Sequence, residues 1–354
     1  MARTTTKLNK KAQMEHFNWI FVLVAGTIIL IFFITIVQKQ GMISQTKLAA
    51  SIRTDIAAIL TGAGVTPDTT NILTMPKTPI SFTCDAEGYS DFEIAKTGVN
   101  KRTPFDVIFA PDLVKGPTLV TWSREFKLPF KVMNFLYLTD AQVRYILVFN
   151  PENSFAERIE AELPDEITKE IRTSTLGIAD KNNYKVKFIF FTDVDRNAAS
   201  TFRTMPDKDV TAIKVSQSNI EFYKKTGAFF TLQGTTPVLK TEEDIFIYGA
   251  IFSEDKTFFE CNIKKAIKRL AVVAKVFADR EDEIKSLAGS GCAPYYYEGD
   301  SGRLLIAELA EFIDVCSDDP NTCQFAKINS LVYDPFGIQY NHDILITQDC
   351  PQIY

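Results

Sequence analysis

The sequence predicts an N-terminal transmembrane helix followed by an extracytoplasmic α/β or α+β domain with a mixed sheet and packed helices. Two observations predict this fold class. Phe17–Val37 contains no charged residue, and the chain beyond it alternates short apolar runs with segments of helical periodicity. Strands interleaved with helices are typical of layered α/β and α+β structures.

The composition is that of a globular protein and excludes several common activities. Of the 354 residues, 46% are hydrophobic and 23% are charged, and the net charge is −5, which is unlike a disordered chain. A nucleic-acid partner is not expected, because such proteins carry a basic patch or stripe. With two histidines and no Gly-rich phosphate loop, the chain offers no His-based acid–base catalysis, and no cofactor is predicted.

The apolar run 17–37 has the length of a membrane span. Its 21 residues extend about 31 Å as a helix, which matches a hydrocarbon core of about 30 Å. Four basic residues against one acidic residue precede the run, whereas a single lysine follows it before residue 47. This asymmetry predicts that residues 1–16 form a cytoplasmic basic tail and that the bulk of the chain lies outside the cell membrane.

Retention of this helix is predicted over its removal. A cleavable signal peptide has an apolar region of about 7–15 residues and a small-residue cleavage site, and the stretch after Val37 provides a poor one. The lipid bilayer is therefore the first predicted partner, contacted through residues 17–37. Other surface proteins are the second.

Three further regions follow the predicted span. Residues 38–64 predict an amphipathic stalk helix, since apolar residues recur there at helical spacing before Gly62 and Gly64. Residues 65–80 contain three prolines and several threonines, which predicts a linker. Residues 81–354 are then expected to form the globular domain.

Short apolar runs bounded by turn residues predict the strands of this domain. Such runs are typical of strands that are buried on both faces, often in parallel sheets. Four runs are expected to be of this kind: Phe105–Ala110, Tyr145–Phe149, Val186–Thr192 and Ile245–Phe252. A fifth run, Thr211–Val215, is expected to form a half-buried strand.

Three helices are predicted between and after these strands. Ser154 and Glu157 form a capping-box pattern that opens a helix ending near Leu163, before a proline. Apolar residues at helical spacing predict a long helix over 260–287, and a third helix over 303–315.

The six cysteines all lie beyond the predicted anchor, and their even number favours disulfides in an oxidising compartment. Cys316 and Cys323 bracket a turn-rich loop and are predicted to pair. A zinc site would require CxxC pairs or histidines at ligand spacing, so no metal is predicted. The disulfide candidates are Cys84, Cys261, Cys292, Cys316, Cys323 and Cys350.

The pairing of the other four cysteines stays open. Joining Cys261 to Cys292 requires the long helix to turn back or to end near Arg280, because 30 helical residues span about 45 Å. The alternative joins Cys84 to one of these two cysteines and leaves Cys350 for the other.

The stretch FIFFTDVDR, residues 188–196, contains an apolar strand that ends in two acids. It resembles the nucleophile motif of haloacid-dehalogenase-type phosphatases, which implies Asp193 as nucleophile and Asp195 as acid/base around a divalent ion. Acidic residues after a strand also arise from ordinary turn chemistry. The two residues are the candidate catalytic pair, and the predicted alternative is a metal-dependent hydrolase.

Two further resemblances concern the kind of protein. KKAQMEHFNWIFVLVAGTIILIFF, together with ECNIKKAIKRL and the closing CPQIY, resembles uncharacterised single-pass proteins of small-genome, DPANN-type archaea. That resemblance implies an archaeal surface protein with an extracytoplasmic domain and implies no activity. Residues 10–15 also resemble archaeal prepilin signals, which implies a type IV pilin-like filament subunit whose first residues are cleaved.

Taken together, these patterns predict a membrane-anchored cell-surface protein with an extracytoplasmic domain that binds or scaffolds. The pilin-like subunit is the structural alternative. The hydrolase built on Asp193 and Asp195 is the enzymatic one.

Overall fold

The computed structural model forms two compact units, Met1–Thr54 and Asp55–Tyr354, which are described separately below. The structure describes residues 10–63, 66–75, 79–85, 89–94, 99–103, 106–289, 291–296, 306–317 and 322–354.

The N-terminal residues form a single helix, α1, which spans Lys10–Ala63. Within it, Val22–Lys39 has a mean hydropathy of 2.3 and is long and apolar enough to cross a membrane. The hydroxyl groups of Thr27 and Thr35 donate to the carbonyl oxygens four residues earlier, at 2.8 and 2.7 Å. These bonds satisfy the polar side chains internally, as a hydrocarbon environment requires. The predicted membrane-length helix is therefore confirmed, and the helix predicted over 38–64 continues it.

The second unit contains three sheets. The first has the strand order β1-β7-β8-β5, with β1 Thr69–Thr74, β5 Val107–Phe109, β7 Thr118–Lys127 and β8 Lys131–Asp140. The small sheet has the order β4-β3-β2-β6, with β2 Ile80–Cys84, β3 Ser90–Ile94, β4 Val99–Thr103 and β6 Leu113–Val114.

The largest sheet has six strands in the order β10-β9-β11-β12-β13-β14. Its first four strands are mutually parallel and its last two are antiparallel, so the predicted mixed sheet is confirmed. The strands are β9 Val143–Val148, β10 Thr168–Arg172, β11 Lys185–Phe190, β12 Val210–Val215, β13 Asn219–Thr226 and β14 Phe229–Pro237.

Four of the five predicted strands are confirmed. The runs at 105–110, 145–149, 186–192 and 211–215 form β5, β9, β11 and β12, although Phe105 lies outside the described residues. The run at 211–215 is more buried than predicted. Part of the predicted linker 65–80 is instead strand β1, because Thr69–Thr74 pairs antiparallel with β7.

The predicted strand at Ile245–Phe252 is wrong. These residues form helix α3, and all eight side chains are buried. A run that is apolar at every position has no periodicity that distinguishes a strand from a fully buried helix. Helix α3 contacts strand β8 of the first sheet and strand β12 of the six-stranded sheet, so it is surrounded by apolar partners.

The other helices follow the predictions closely. Helix α2 spans Ser154–Glu162, but its N-cap is Asn153 rather than Ser154, since the Asn153 side chain accepts from the amide of Ala156 at 3.1 Å. The long helix α4 spans Lys256–Leu287. The remaining helices are α5 Ile306–Cys316, α6 Phe325–Tyr333 and α7 Ile338–Thr347, with short 3-10 turns at Arg196–Phe202, Asp207–Asp209 and Ala293–Tyr295.

All six cysteines form disulfides. Cys316–Cys323 is confirmed, with a Cα separation of 4.9 Å. The pair Cys261–Cys292 is not formed, because helix α4 continues unbroken between Cys261 and Leu287. The alternative is found instead: Cys84–Cys261 and Cys292–Cys350 have Cα separations of 6.2 and 5.7 Å.

Candidate binding cleft and the acidic motif

A cleft of about 950 Å³ opens at the carboxyl edge of the parallel strands. Its walls are helix α2, which follows β9; residues 217–218, which follow β12; residues 237–242 and Asp244, which begin at the last residue of β14; and the first residues of α6. In open parallel sheets, ligands bind at this edge, where neighbouring strands connect in opposite directions. Here β9 leads to β10 on one side, and β11 leads to β12 on the other. The cleft adjoins the carboxyl ends of β9 and β12, whereas the residues that follow β11 do not line it.

The cleft combines apolar surface with a few charged groups, as ligand sites commonly do. Phe155, Val238, Phe246 and Phe325 supply apolar surface to its lining. Phe155 is half-buried, while the other three are buried. The three buried side chains therefore form the packed base of the cleft, and Phe155 on α2 remains available to a ligand.

An ion pair joins two walls of the cleft. The Arg158 guanidinium on α2 contacts one oxygen of Asp244 through Nη2 at 2.7 Å and Nε at 3.1 Å. Burial raises the pKa of Asp244, and the hydrogen bond from Arg158 opposes that rise. The pair fixes α2 relative to the segment before α3.

A second cluster of charged residues is centred on Arg124. Its guanidinium contacts Glu243 at 2.9 Å and Glu162 at 3.5 Å. Glu162 also accepts from the hydroxyl of Tyr248 at 2.6 Å. Burial raises the pKa of Glu243, which the Arg124 charge opposes. These acids already have partners within the protein, so their role at the cleft is positional.

The two lysines that line the cleft differ in the contacts they make within the protein. Lys240 is exposed and forms no ion pair among the described residues. The Lys327 ammonium lies 3.7 Å from the centre of the Phe312 ring, a cation–π contact. The cleft can thus receive a ligand that carries apolar groups and at least one negative charge.

The predicted acidic motif lies at the same edge of the sheet, directly after β11. The side chain of Asp193 is fully exposed and accepts from Lys214 Nζ at 2.8 Å, and this hydrogen bond lowers the pKa of Asp193. Asp195 caps the 3-10 turn that follows, because it accepts from the amide of Asn197 at 3.0 Å and from the hydroxyl of Thr175.

The structure therefore brings Asp193 and Asp195 to one edge but gives each a protein partner. Across the described part of the chain, no group of three or more His, Cys, Asp or Glu side chains is arranged to hold a metal ion. The hydrolase assignment stays a prediction.

Sequence reasoning missed the residues of the cleft. Its walls come from four segments that are far apart in the chain, and each carries ordinary turn or helix-start residues. The only available signal was the start of α2 near Ser154. No known protein family, curated protein or solved structure matches this chain.

Proposed function

We propose that this chain is a membrane-anchored cell-surface protein whose extracytoplasmic domain binds or scaffolds. Residues 17–37 span the bilayer, residues 1–16 lie in the cytoplasm, and the domain lies outside. The observation that carries this proposal is the pairing of all six cysteines in the unit that follows a membrane-length helix. Structural disulfides persist in oxidising compartments and are rare in the cytosol. The archaeal origin implied by the N-terminal resemblance is part of the same proposal.

The cleft is the proposed binding site, and its ligand is a peptide segment of another surface protein. Apolar side chains of a peptide fit the half-buried Phe155, and a carboxylate fits Lys240. Aromatic residues such as phenylalanine are enriched at protein interfaces. The proposal is for binding rather than catalysis, because two of the three acidic residues that line the cleft, Glu162 and Asp244, are engaged by Arg124 and Arg158.

Topology is tested by thiol labelling in intact cells. A cysteine placed at Ala2 is expected to stay shielded from an impermeant thiol reagent, whereas one placed at Pro67 is expected to react. Permeabilised cells provide the control, in which both positions react. Labelling at Ala2 with protection at Pro67 would reverse the orientation and remove the disulfide argument.

The cleft is tested by photo-crosslinking from the full-length protein in its own cells. A benzophenone amino acid at Phe155 is expected to give crosslinks to another surface protein. The matched control is the same amino acid at Leu176, whose side chain is exposed and which is not a cleft residue. Equal crosslinking from both positions, or none from Phe155, would refute the cleft as the binding site.

A filament subunit is the second candidate. The observation that favours it is the continuity of α1 from Lys10 to Ala63, since a long N-terminal helix with an apolar first half suits filament assembly. Intact-mass measurement of the native protein distinguishes the two candidates. Loss of residues 1–12 supports processing and assembly, whereas an intact N-terminus supports the permanent anchor.

A further inference from the structure

Three side chains from distant parts of the chain meet at the amino-terminal end of β11 in the six-stranded sheet, away from the cleft. Lys185 opens β11, Asp112 immediately precedes β6, and Glu254 lies between α3 and α4. The Lys185 Nζ is 2.5 Å from Asp112 Oδ1 and also donates to Glu254 Oε2. Glu254 additionally accepts from the amide of Asp112 at 3.2 Å. Lys185 thus bridges the two carboxylates of a Lys–Asp–Glu triad, and the Asp112 amide holds Glu254 beside them.

The Lys185 and Glu254 side chains are shielded from water, whereas the Asp112 side chain is 42% exposed. The Lys185 side chain is 4% exposed, and that of Glu254 is 13% exposed. A second buried lysine, Lys187, lies on the same face of β11 and donates to the carbonyl oxygens of Ala250, at 2.7 Å, and Ser253. Burial raises the pKa of Glu254, which helps its carboxyl group to hold a proton.

We propose that Lys185 and Asp112 condense into an isopeptide bond within the folded protein, with Glu254 as the catalytic proton carrier. Glu254 takes a proton from the Lys185 ammonium and passes it to the Asp112 carboxylate, so that the neutral Nζ attacks Cγ of a neutral Asp112 carboxyl group. Glu254 then carries a second proton from the nitrogen to the departing hydroxyl group. The Nζ–Cγ bond forms, one Cγ–O bond breaks, and the departing oxygen leaves as water after receiving protons from the ammonium group. The ammonium and the carboxylate become a neutral amide, and Glu254 returns to its starting state. No oxidant, reductant or other reactant is required.

Two physical effects favour this condensation. Holding the nucleophile against its target replaces a bimolecular encounter and supplies a large effective concentration. Amide formation also removes the charge of the Lys185 ammonium, whose side chain is 4% exposed, and burying a charged group is expensive. A cavity of about 310 Å³ is lined by both Asp112 and Glu254, so the released water molecule can leave the reaction site through this cavity.

A second buried lysine pair in the same sheet provides an internal comparison. The Lys225 side chain is 2% exposed, and its Nζ lies 2.7 Å from Asp207 Oδ1. Its other partner is the carbonyl oxygen of Met205, at 2.7 Å, rather than a second carboxyl group. Without a proton carrier in contact, Lys225 and Asp207 are expected to remain an ion pair.

Peptide mapping of the full-length native protein tests the proposal. After reduction, alkylation and tryptic digestion, residues 103–115 are expected to be joined to residues 182–187 in one branched peptide. Its mass is the sum of the two linear peptides minus one water, and Lys185 resists trypsin. Lys225 is expected to be cleaved normally. Two linear peptides, with cleavage after Lys185, would overturn the proposal.

Variants assign the roles. Lys185→Arg and Asp112→Ala are expected to abolish the branched peptide, and Glu254→Gln is expected to leave Lys185 and Asp112 unlinked in a folded chain. A branched peptide that persists in Glu254→Gln would overturn the role of Glu254. Because the wild-type digest needs no variant, the bond itself is decided even if a substituted chain fails to fold.

Discussion

Glu170 on β10 provides the most quantitative test of how this domain is stabilised. Its carboxylate accepts from Arg144 at 2.6 and 3.1 Å, from Lys181 at 3.0 Å and from Arg172 at 2.6 Å. The Arg144 side chain is 1% exposed and also donates to the carbonyl oxygen of Ala179. Glu170 therefore neutralises a fully buried cation and ties β10 to β9.

The expected magnitude follows from the pKa of Glu170. Burial alone would raise this pKa, but hydrogen bonds from Lys181, Arg144 and Arg172 outweigh burial and lower it from 4.5 to about 2. That difference corresponds to about 3 kcal/mol at pH 7. Lys181 and Arg172 are 58% and 37% exposed, and solvent screens their contribution. We therefore expect Glu170→Gln to lower the free energy of unfolding by about 2 kcal/mol.

The pH dependence has a definite sign. A carboxyl group whose folded-state pKa is depressed stabilises fully above its unfolded pKa of 4.5 and loses that contribution as the pH falls through about 2. The difference between wild type and Glu170→Gln should therefore be constant from pH 7 to pH 6. At pH 3 it should fall to about two fifths of its neutral value.

Denaturant unfolding in detergent measures this difference. In a Trp19→Phe background, Trp122 is the single tryptophan of the chain, and its side chain is buried, so its fluorescence reports unfolding of the domain. Glu166→Gln, at an exposed position, is the matched control and should change the free energy of unfolding by less than about 0.5 kcal/mol. An equal effect of the two substitutions, or an effect of Glu170→Gln that grows on acidification, would refute the reasoning.

Three other perturbations are expected to change stability, each measured by the same unfolding assay. Gly249→Ala should destabilise by about 1–2 kcal/mol, because its Cβ would lie 2.9 Å from the Phe109 ring and overpacking outweighs the gain in helix propensity. Burial lowers the pKa of Lys265 to about 7. Between pH 7 and pH 9 the unfolded chain therefore binds this proton more than the folded chain does, and stability rises with pH. The free energy of unfolding of wild type should increase by about 2 kcal/mol relative to that of Lys265→Met over this range. Removing the Cys84–Cys261 bond by a double alanine substitution should cost about 5 kcal/mol, since it closes a loop of 177 residues.

Each of these has a matched control. Gly62→Ala meets no atom within 4 Å and should be neutral or stabilising, so equal destabilisation by both glycine substitutions would contradict the packing argument. Lys224→Met, at an exposed site, should show no comparable pH dependence. Loss of the Cys316–Cys323 bond, with a separation of 7 residues, should cost about 2–3 kcal/mol. A larger cost than for Cys84–Cys261 would contradict the loop-length ranking.

Local sequence carried enough information for the elements whose neighbours are close in the chain. The uncharged run at 17–37 predicted a helix of membrane length because its length and composition require no knowledge of the rest of the fold. The apolar face of α4 and the pairing of Cys316 with Cys323 are predictable for the same reason. Strands β9 and β11 are recognisable as buried parallel strands because both of their faces are covered by apolar neighbours, whereas the pattern of β12 predicts only a half-buried strand.

The tertiary structure alone decided the rest, because the deciding contacts join residues that are distant in sequence. Ile245–Phe252 is a helix because sheets on two sides bury every position, and no local pattern records that. Thr69–Thr74 is a strand because β7, nearly fifty residues later, provides its hydrogen-bonding partner. The pairing of Cys84 with Cys261, the walls of the cleft, and the meeting of Lys185 with Asp112 and Glu254 likewise depend on how the sheets and helices pack. Composition and periodicity report whether a residue is apolar or charged, whereas packing determines which residue it meets.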